Sequence, residues 1–70
     1  MEVLDLHGVK HEDAEIVIED FILSNASPCK IITGNSHVMR NLVAKVLSRH
    51  GMRSEPESDY NLGALITYDF

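Results

Sequence analysis

Asp5 and His7 stand two residues apart in the segment Leu4-Asp5-Leu6-His7-Gly8. Alternate side chains of an extended strand share a face, so this spacing would project the carboxylate and the imidazole together. Such a pair can orient and activate a nucleophile for acid–base chemistry, or share a divalent cation. One carboxylate and one imidazole do not complete a metal shell. The competing structural account has Asp5 binding backbone amides of the adjoining turn while His7 packs at the strand end. A second constellation follows the apolar run Ile31-Ile32-Thr33, where Gly34-Asn35-Ser36-His37 leads into a helical pattern with Arg40 about one turn in. Backbone N–H groups at a helix N-terminus suit a phosphate, and an arginine there adds a charged donor. Here the competing account is capping, with Ser36 as N-cap and His37 facing solvent.

These residues meet only if the chain brings the two glycine turns to one edge. Glu2 to His7 reads as a strand with Leu4 and Leu6 on one face and Asp5 and His7 on the other. From His11 to Ser24 the apolar positions Ala14, Val17, Ile18, Phe21 and Ile22 mark one face of a helix, with Glu12 and Asp13 in its first turn. Ser24-Asn25-Ala26-Ser27-Pro28 is a stop and loop. Cys29 to Thr33 is a second strand. The second helix, from Ser36 to about His50, carries the apolar stripe Val38, Met39, Leu42, Val43, Val46 and Leu47, and Gly51 ends it. Met52 to Glu55 gives a weak third strand, Glu55 to Asn61 a polar loop, and Gly63 to Phe70 a last strand. The order βαβαββ predicts a two-layer α/β (α+β) sandwich: a mixed four-stranded sheet, two helices on one face and the other face open. Ligands of such folds gather at the carboxyl ends of parallel strands. The first such strand ends at His7-Gly8 and the second at Thr33-Gly34.

Seventy residues suffice for one domain, residues 1–70. Cys29 is the one cysteine, which rules out an intrachain disulfide and a cysteine zinc cage. No signal-peptide pattern and no apolar run of about 20 residues is present, so a cytoplasmic, soluble protein with no membrane partner is expected. The net charge of −5 argues against a phosphate partner, but its distribution does not. Between Phe21 and Ser54 there is no Asp or Glu, whereas Lys30, Arg40, Lys45, Arg49 and Arg53 all lie there. A basic middle between acidic flanks points to a local positive field on the second helix, including Lys45.

The same residues resemble the small MutS-related (Smr) domain. Leu4-Asp5-Leu6-His7-Gly8 matches that family's opening signature, and Glu12-Asp13-Ala14 is similar to its acidic helix start. Ile31-Ile32-Thr33-Gly34 resembles its Thr-Gly motif, Met39-Arg40 falls where a Leu-Arg pair is common, and Asn61-Leu62-Gly63-Ala64 resembles its Gly-rich entry to the last strand. The resemblance implies a fold similar to the C-terminal domain of translation initiation factor three. It also implies binding of DNA or RNA and endonuclease (nicking) activity, in a DNA repair or RNA processing setting. On that footing Asp5 and His7 are the expected catalytic pair, with a divalent metal such as Mg or Mn as the candidate cofactor. For nucleic-acid contact the resemblance implies Thr33 and Gly34, and the loop, helix start and basic stretch read from the residues themselves add Asn35, Ser36, His37, Arg40 and Lys45. Asn35 and Ser36 stand where the family carries a basic residue and a second glycine, and Lys10 where a Thr or Ser cap is common. The alternatives are a non-catalytic nucleic-acid-binding module, or a protein-interaction domain using the acidic first helix. The open sheet face leaves monomer or weak homodimer as the expected state.

Overall fold

A computed structural model describes residues 1–69. Strands β1 (Val3–Asp5), β2 (Lys30–Ile32), β3 (Met52–Ser58) and β4 (Asn61–Asp69) alternate with helices α1 (His11–Ser24) and α2 (His37–Arg49) in the order β1-α1-β2-α2-β3-β4. The sheet order is β1-β2-β4-β3. β1 and β2 are parallel, while β4 runs antiparallel to both β2 and β3. The mixed four-stranded α+β sheet expected from the sequence is the sheet observed. Residue 70, the end assigned above to the last strand, lies outside the described residues.

Alternation along the strands separates two faces. Leu4, Ile31 and Leu65 are cross-strand neighbours, and Thr67 follows Leu65 on the same side. The helices cover this side, and Leu6, Ile31 and Leu65 join Ala14, Ile18, Ile22, Met39, Val43, Val46 and Leu47 in one core. Ala14, Ile18 and Ile22 recur every four residues, the spacing of a single stripe on α1. The other sheet face carries Val3, Asp5, Lys30, Ile32, Ile66 and Tyr68. Val38, assigned above to the buried stripe of α2, is half exposed instead. It lies one residue off the buried stripe of Met39, Val43, Val46 and Leu47, on the flank that Lys45 and Arg49 continue at i+7 and i+11.

The largest departure lies in the last hairpin. The segment read as a polar loop is strand, and β3 and β4 pair down to Ser58 and Asn61 around a two-residue tip, Asp59-Tyr60. β3 is an edge strand with a register irregularity between Pro56 and Ser58, a setting in which a proline is tolerated, and the exposed glutamates discourage edge pairing. Composition hid this strand because an edge strand needs few apolar residues.

At the opposite end of the sheet, Cys29 and Thr67 bind reciprocally. The Cys29 N–H donates to Thr67 Oγ1 at 3.0 Å, and the Thr67 N–H donates to the Cys29 carbonyl at 2.8 Å. Both residues are buried, and burial pushes the Cys29 thiol up. Its Sγ–H donates to the Ala26 carbonyl at 3.0 Å, the setting of a structural cysteine. Replacing Thr67 by valine keeps the volume and orphans the Cys29 amide. The expected cost is about 1–3 kcal/mol, read as a lower urea midpoint at unchanged slope. An unchanged midpoint would show that the amide finds another acceptor.

Candidate nucleic-acid interface and active site

Because β1 and β2 are parallel, the turns leaving them share one sheet edge. Contact between the turns is direct. The His7 ring lies over Gly34, so that a Cβ built on Gly34 would sit 2.7 Å from His7 Nε2. Gly34 has φ +63°, a conformation that L side chains enter at a cost. On its other side the backbone of Gly34 abuts Gly63, where a Cβ would come within 2.8 Å of the Gly34 carbonyl oxygen. The Gly63 carbonyl accepts from the N–H groups of Thr33 (2.7 Å) and Gly34 (3.1 Å). Three segments distant in sequence therefore converge, and the two glycines leave the room that the His7 ring and the Gly34 backbone take up.

Asp5 and His7 form a pair. Asp5 Oδ1 accepts from the His7 backbone N–H at 2.9 Å and lies 2.8 Å from His7 Nδ1. The backbone hydrogen bond is the main cause that holds the Asp5 carboxyl below the usual carboxylate range. Partial burial opposes it, and the His7 ring adds to it. An ionised carboxylate can only accept, so Nδ1 is the donor and the neutral ring carries its lone pair on Nε2, the atom facing Gly34. Both side chains are more than half exposed. Among the described residues no group of three or more His, Cys, Asp or Glu is placed to hold a metal ion. A cation here would draw on Asp5, water and oxygens of a bound phosphate, a donor set that Mg accepts.

The loop after β2 begins α2. Ser36 Oγ accepts from the Met39 N–H at 3.0 Å, so Ser36 is the N-cap expected from the sequence. Its backbone is ordinary extended chain (φ −82°, ψ 113°), and no second glycine is needed there. Capping satisfies Met39 and leaves the amides of His37 and Val38 without an intrahelical acceptor. Arg40 Nη2 donates to His37 Nδ1 at 2.9 Å, which folds the guanidinium over this first turn. Thr33 is different: it is buried, and its hydroxyl donates to the Gly34 and Gly63 carbonyls at 3.2 and 3.3 Å. Its side chain fixes the loop from within, while Asn35 and His37 are exposed.

The basic middle of the sequence is largely neutralised by folding. Lys45 and Arg49 both reach Glu15 of α1 (3.0 and 2.9 Å), and His50 reaches Glu19 (2.9 Å). The two cations hold Glu15 below its usual range, Lys45 contributing most. Lys30 pairs with Glu57 at 2.7 Å and Arg53 with Glu55 at 3.0 Å. Lys45 thus sits about two turns from the Gly34 loop, facing α1. Among the described residues, Lys10 and Arg40 are the lysine and arginine with no carboxylate partner. Lys10 is the N-cap of α1 and makes no side-chain cap. Both residues begin helices that follow parallel strands, so both free cations lie on the edge that carries His7 and Gly34. Lys10 was read above only as a departure from a capping residue. No signal in a single sequence says which of six Lys and Arg residues will meet a carboxylate.

Comparison with known protein families finds that the Smr domain model matches residues 4–68. No curated protein and no solved structure matches the chain.

Two outcomes test this geometry. Gly63→Ala sets a Cβ against backbone that cannot swing away, and it should cost about 1–3 kcal/mol and speed amide exchange at Thr33 and Gly34. Stability and exchange rates like those of wild type would remove the close contact. The second concerns Asp5. Its folded-state carboxyl is depressed, so its stabilising contribution is complete above its unfolded value and is lost as pH falls through the folded one. In His7→Ala the backbone donor survives. Carboxyl-carbon NMR should therefore find Asp5 still titrating below an ordinary aspartate, though less so than in wild type. A return to the ordinary value would assign the shift to the ring.

Proposed function

The chain belongs to the Smr domain family, and from that premise we propose that it is a nucleic-acid endonuclease that nicks DNA or RNA at the edge shared by His7, Gly34 and the start of α2. Family membership supports a nucleic-acid-binding, nuclease-like domain. The finer reading rests on one observation, the seat of the His7 ring against Gly34, with Nδ1 engaged by Asp5 and Nε2 turned toward the loop.

On this reading a backbone phosphate lies at the His37 and Val38 amides, with Arg40 and Lys10 supplying charge. Asp5 fixes the tautomer and orientation of His7. Nε2 takes the proton from a water as that water's oxygen bonds to phosphorus; the bond to the leaving oxygen breaks, and solvent protonates it. A divalent cation such as Mg or Mn, held by Asp5 and the phosphate, would supply charge neutralisation at the phosphate. The Gly34 position keeps the approach to Nε2 clear of side chains. Binding without cleavage needs only the loop, Arg40 and Lys10.

A second reading draws on α1. Ile16 and Leu23 are about two-thirds exposed, on a stripe with Glu12, Asp13 and Asp20, a surface suited to a basic protein partner.

The deciding experiment is a nicking and cleavage assay on supercoiled DNA and structured RNA, with and without Mg or Mn. Wild type should cleave, His7→Ala should lose roughly 100- to 10,000-fold in rate, and Asp5→Ala/His7→Ala should still bind. Arg40→Ala should weaken binding and lower the salt slope by about 1. Cleavage by the double variant at the wild-type rate would remove the catalytic assignment. A salt-sensitive gel shift without cleavage would make this a binding module. No binding even at low salt would favour the α1 surface.

A further inference from the structure

Tyr60 is fully exposed at the tip of the β3–β4 hairpin, and Leu62 behind it is half exposed. An aromatic ring that touches nothing contributes nothing to the fold, and this one stands at the tip of a paired hairpin. β4 runs antiparallel to β2, so the residues preceding Gly63 continue past the end of β2 and over the Gly34 loop. Three residues of strand put the Tyr60 backbone about 10 Å beyond Gly63. The tip is braced from below: the Asn61 N–H donates to Ser58 Oγ at 3.0 Å, and Ser58 pairs with Asn61. Leu62 shares a sheet face with Ala64, which is cross-strand from Ile32, itself the neighbour of Asp5. Leu62 thus belongs to the sheet face of the Asp5–His7 pair, and the hairpin tip that carries Tyr60 extends from the edge where that pair lies.

We propose that Tyr60, with Leu62 behind it, is a stacking position for an unpaired nucleobase of a single-stranded DNA or RNA whose phosphate lies at the Gly34–His37 loop. This rests on the nucleic-acid reading above and adds the substrate class to it. A base face stacks on an aromatic ring without sequence preference, but only where the base has left its duplex stack. The charge pattern fits a base better than a phosphate at the tip. Glu55 and Glu57 are neutralised by Arg53 and Lys30, Asp59 adds a negative charge, and the unpaired cations sit at the helix starts. The strand would run with its backbone toward Arg40 and Lys10 and a base turned onto the hairpin. Tyr68 cannot serve in this way. It is partly buried, and Arg53 covers its ring at 4.8 Å. The sequence alone offers two scattered tyrosines and no platform; the hairpin turns one of them into an isolated, outward-facing ring.

The test measures binding of wild type, Tyr60→Ala, Tyr60→Phe, Tyr60→Trp and Arg40→Ala to a fluorescent single-stranded oligothymidine and to a blunt duplex of equal length. Tyr60→Ala should bind the single strand about 10- to 100-fold more weakly and the duplex as wild type does, while Tyr60→Phe retains wild-type affinity. The chain has no tryptophan, so in Tyr60→Trp the indole is the sole such fluorophore, and the single strand should quench it. If Tyr60→Ala binds the single strand like wild type while Arg40→Ala binds weakly, stacking is wrong and the phosphate site stands. If wild type binds neither probe at low salt, the phosphate site fails and stacking with it. Equal losses on single strand and duplex would also overturn the proposal.

Discussion

The architecture of the candidate site depends on a contact made by absence. Gly34 has the His7 ring on one side and the backbone of Gly63 on the other, with no room for a side chain toward either. That contact joins the end of β1, the end of β2 and the start of β4, which the chain separates by some thirty residues at each step. Thr33 locks it from the buried side through the Gly34 and Gly63 carbonyls. A threonine before the glycine is thus as structural as the glycine itself. Its one hydroxyl proton is shared between the Gly34 carbonyl and the Gly63 carbonyl, the latter already accepting from the Thr33 and Gly34 N–H groups.

Electrostatics follow from how the helices pack. α1 brings Glu15 and Glu19 against Lys45 and Arg49 of α2 and the His50 that follows it. Exposed pairs of this kind add little stability, but they cancel charge locally. Cancellation matters because screening confines each remaining charge to about 10 Å. A chain of net charge −5 therefore still keeps two cations, Lys10 and Arg40, without carboxylate partners among the described residues at the helix starts. Glu12 and Asp13 on α1 and Asp5 on β1 stand near Lys10, whereas the α2 start carries no acid. The sign of the whole molecule says little about the sign at the loop.

Much of this was legible in the sequence. Helix stripes such as Ala14, Ile18 and Ile22, the Ser36 cap, and the two strand ends at His7-Gly8 and Thr33-Gly34 follow from local pattern. The family resemblance pointed to Asp5 and His7 together. What pattern could not give is pairing between distant segments. The role of Lys45 is decided by Glu15, thirty residues earlier, and the strand character of Glu55 to Ser58 by hydrogen bonds to β4. Val38 looked like its apolar neighbours because an apolar residue one step off a helical stripe reads as part of it. Tyr60 gives no sequence signal, since its importance comes from a hairpin tip that composition reads as loop.

The openness of the site constrains the ligand. Asp5 and His7 are more than half exposed, and the depression lined by Val9, Lys10, His11 and Glu12 beside them is shallow. Small-molecule sites are concave and enclose most of their ligand, which this edge cannot do. A polymer gains affinity along its length and needs only one segment at the chemistry. Exposure also weakens every electrostatic interaction of the pair, because water screens it. On the proposed reading the ligand supplies the water-poor surroundings itself, by covering His7 as it binds. In such a site the binding contacts and the chemistry are hard to separate. On the same reading, a residue that never touches the reacting phosphate would still change the rate by holding the polymer down over Nε2.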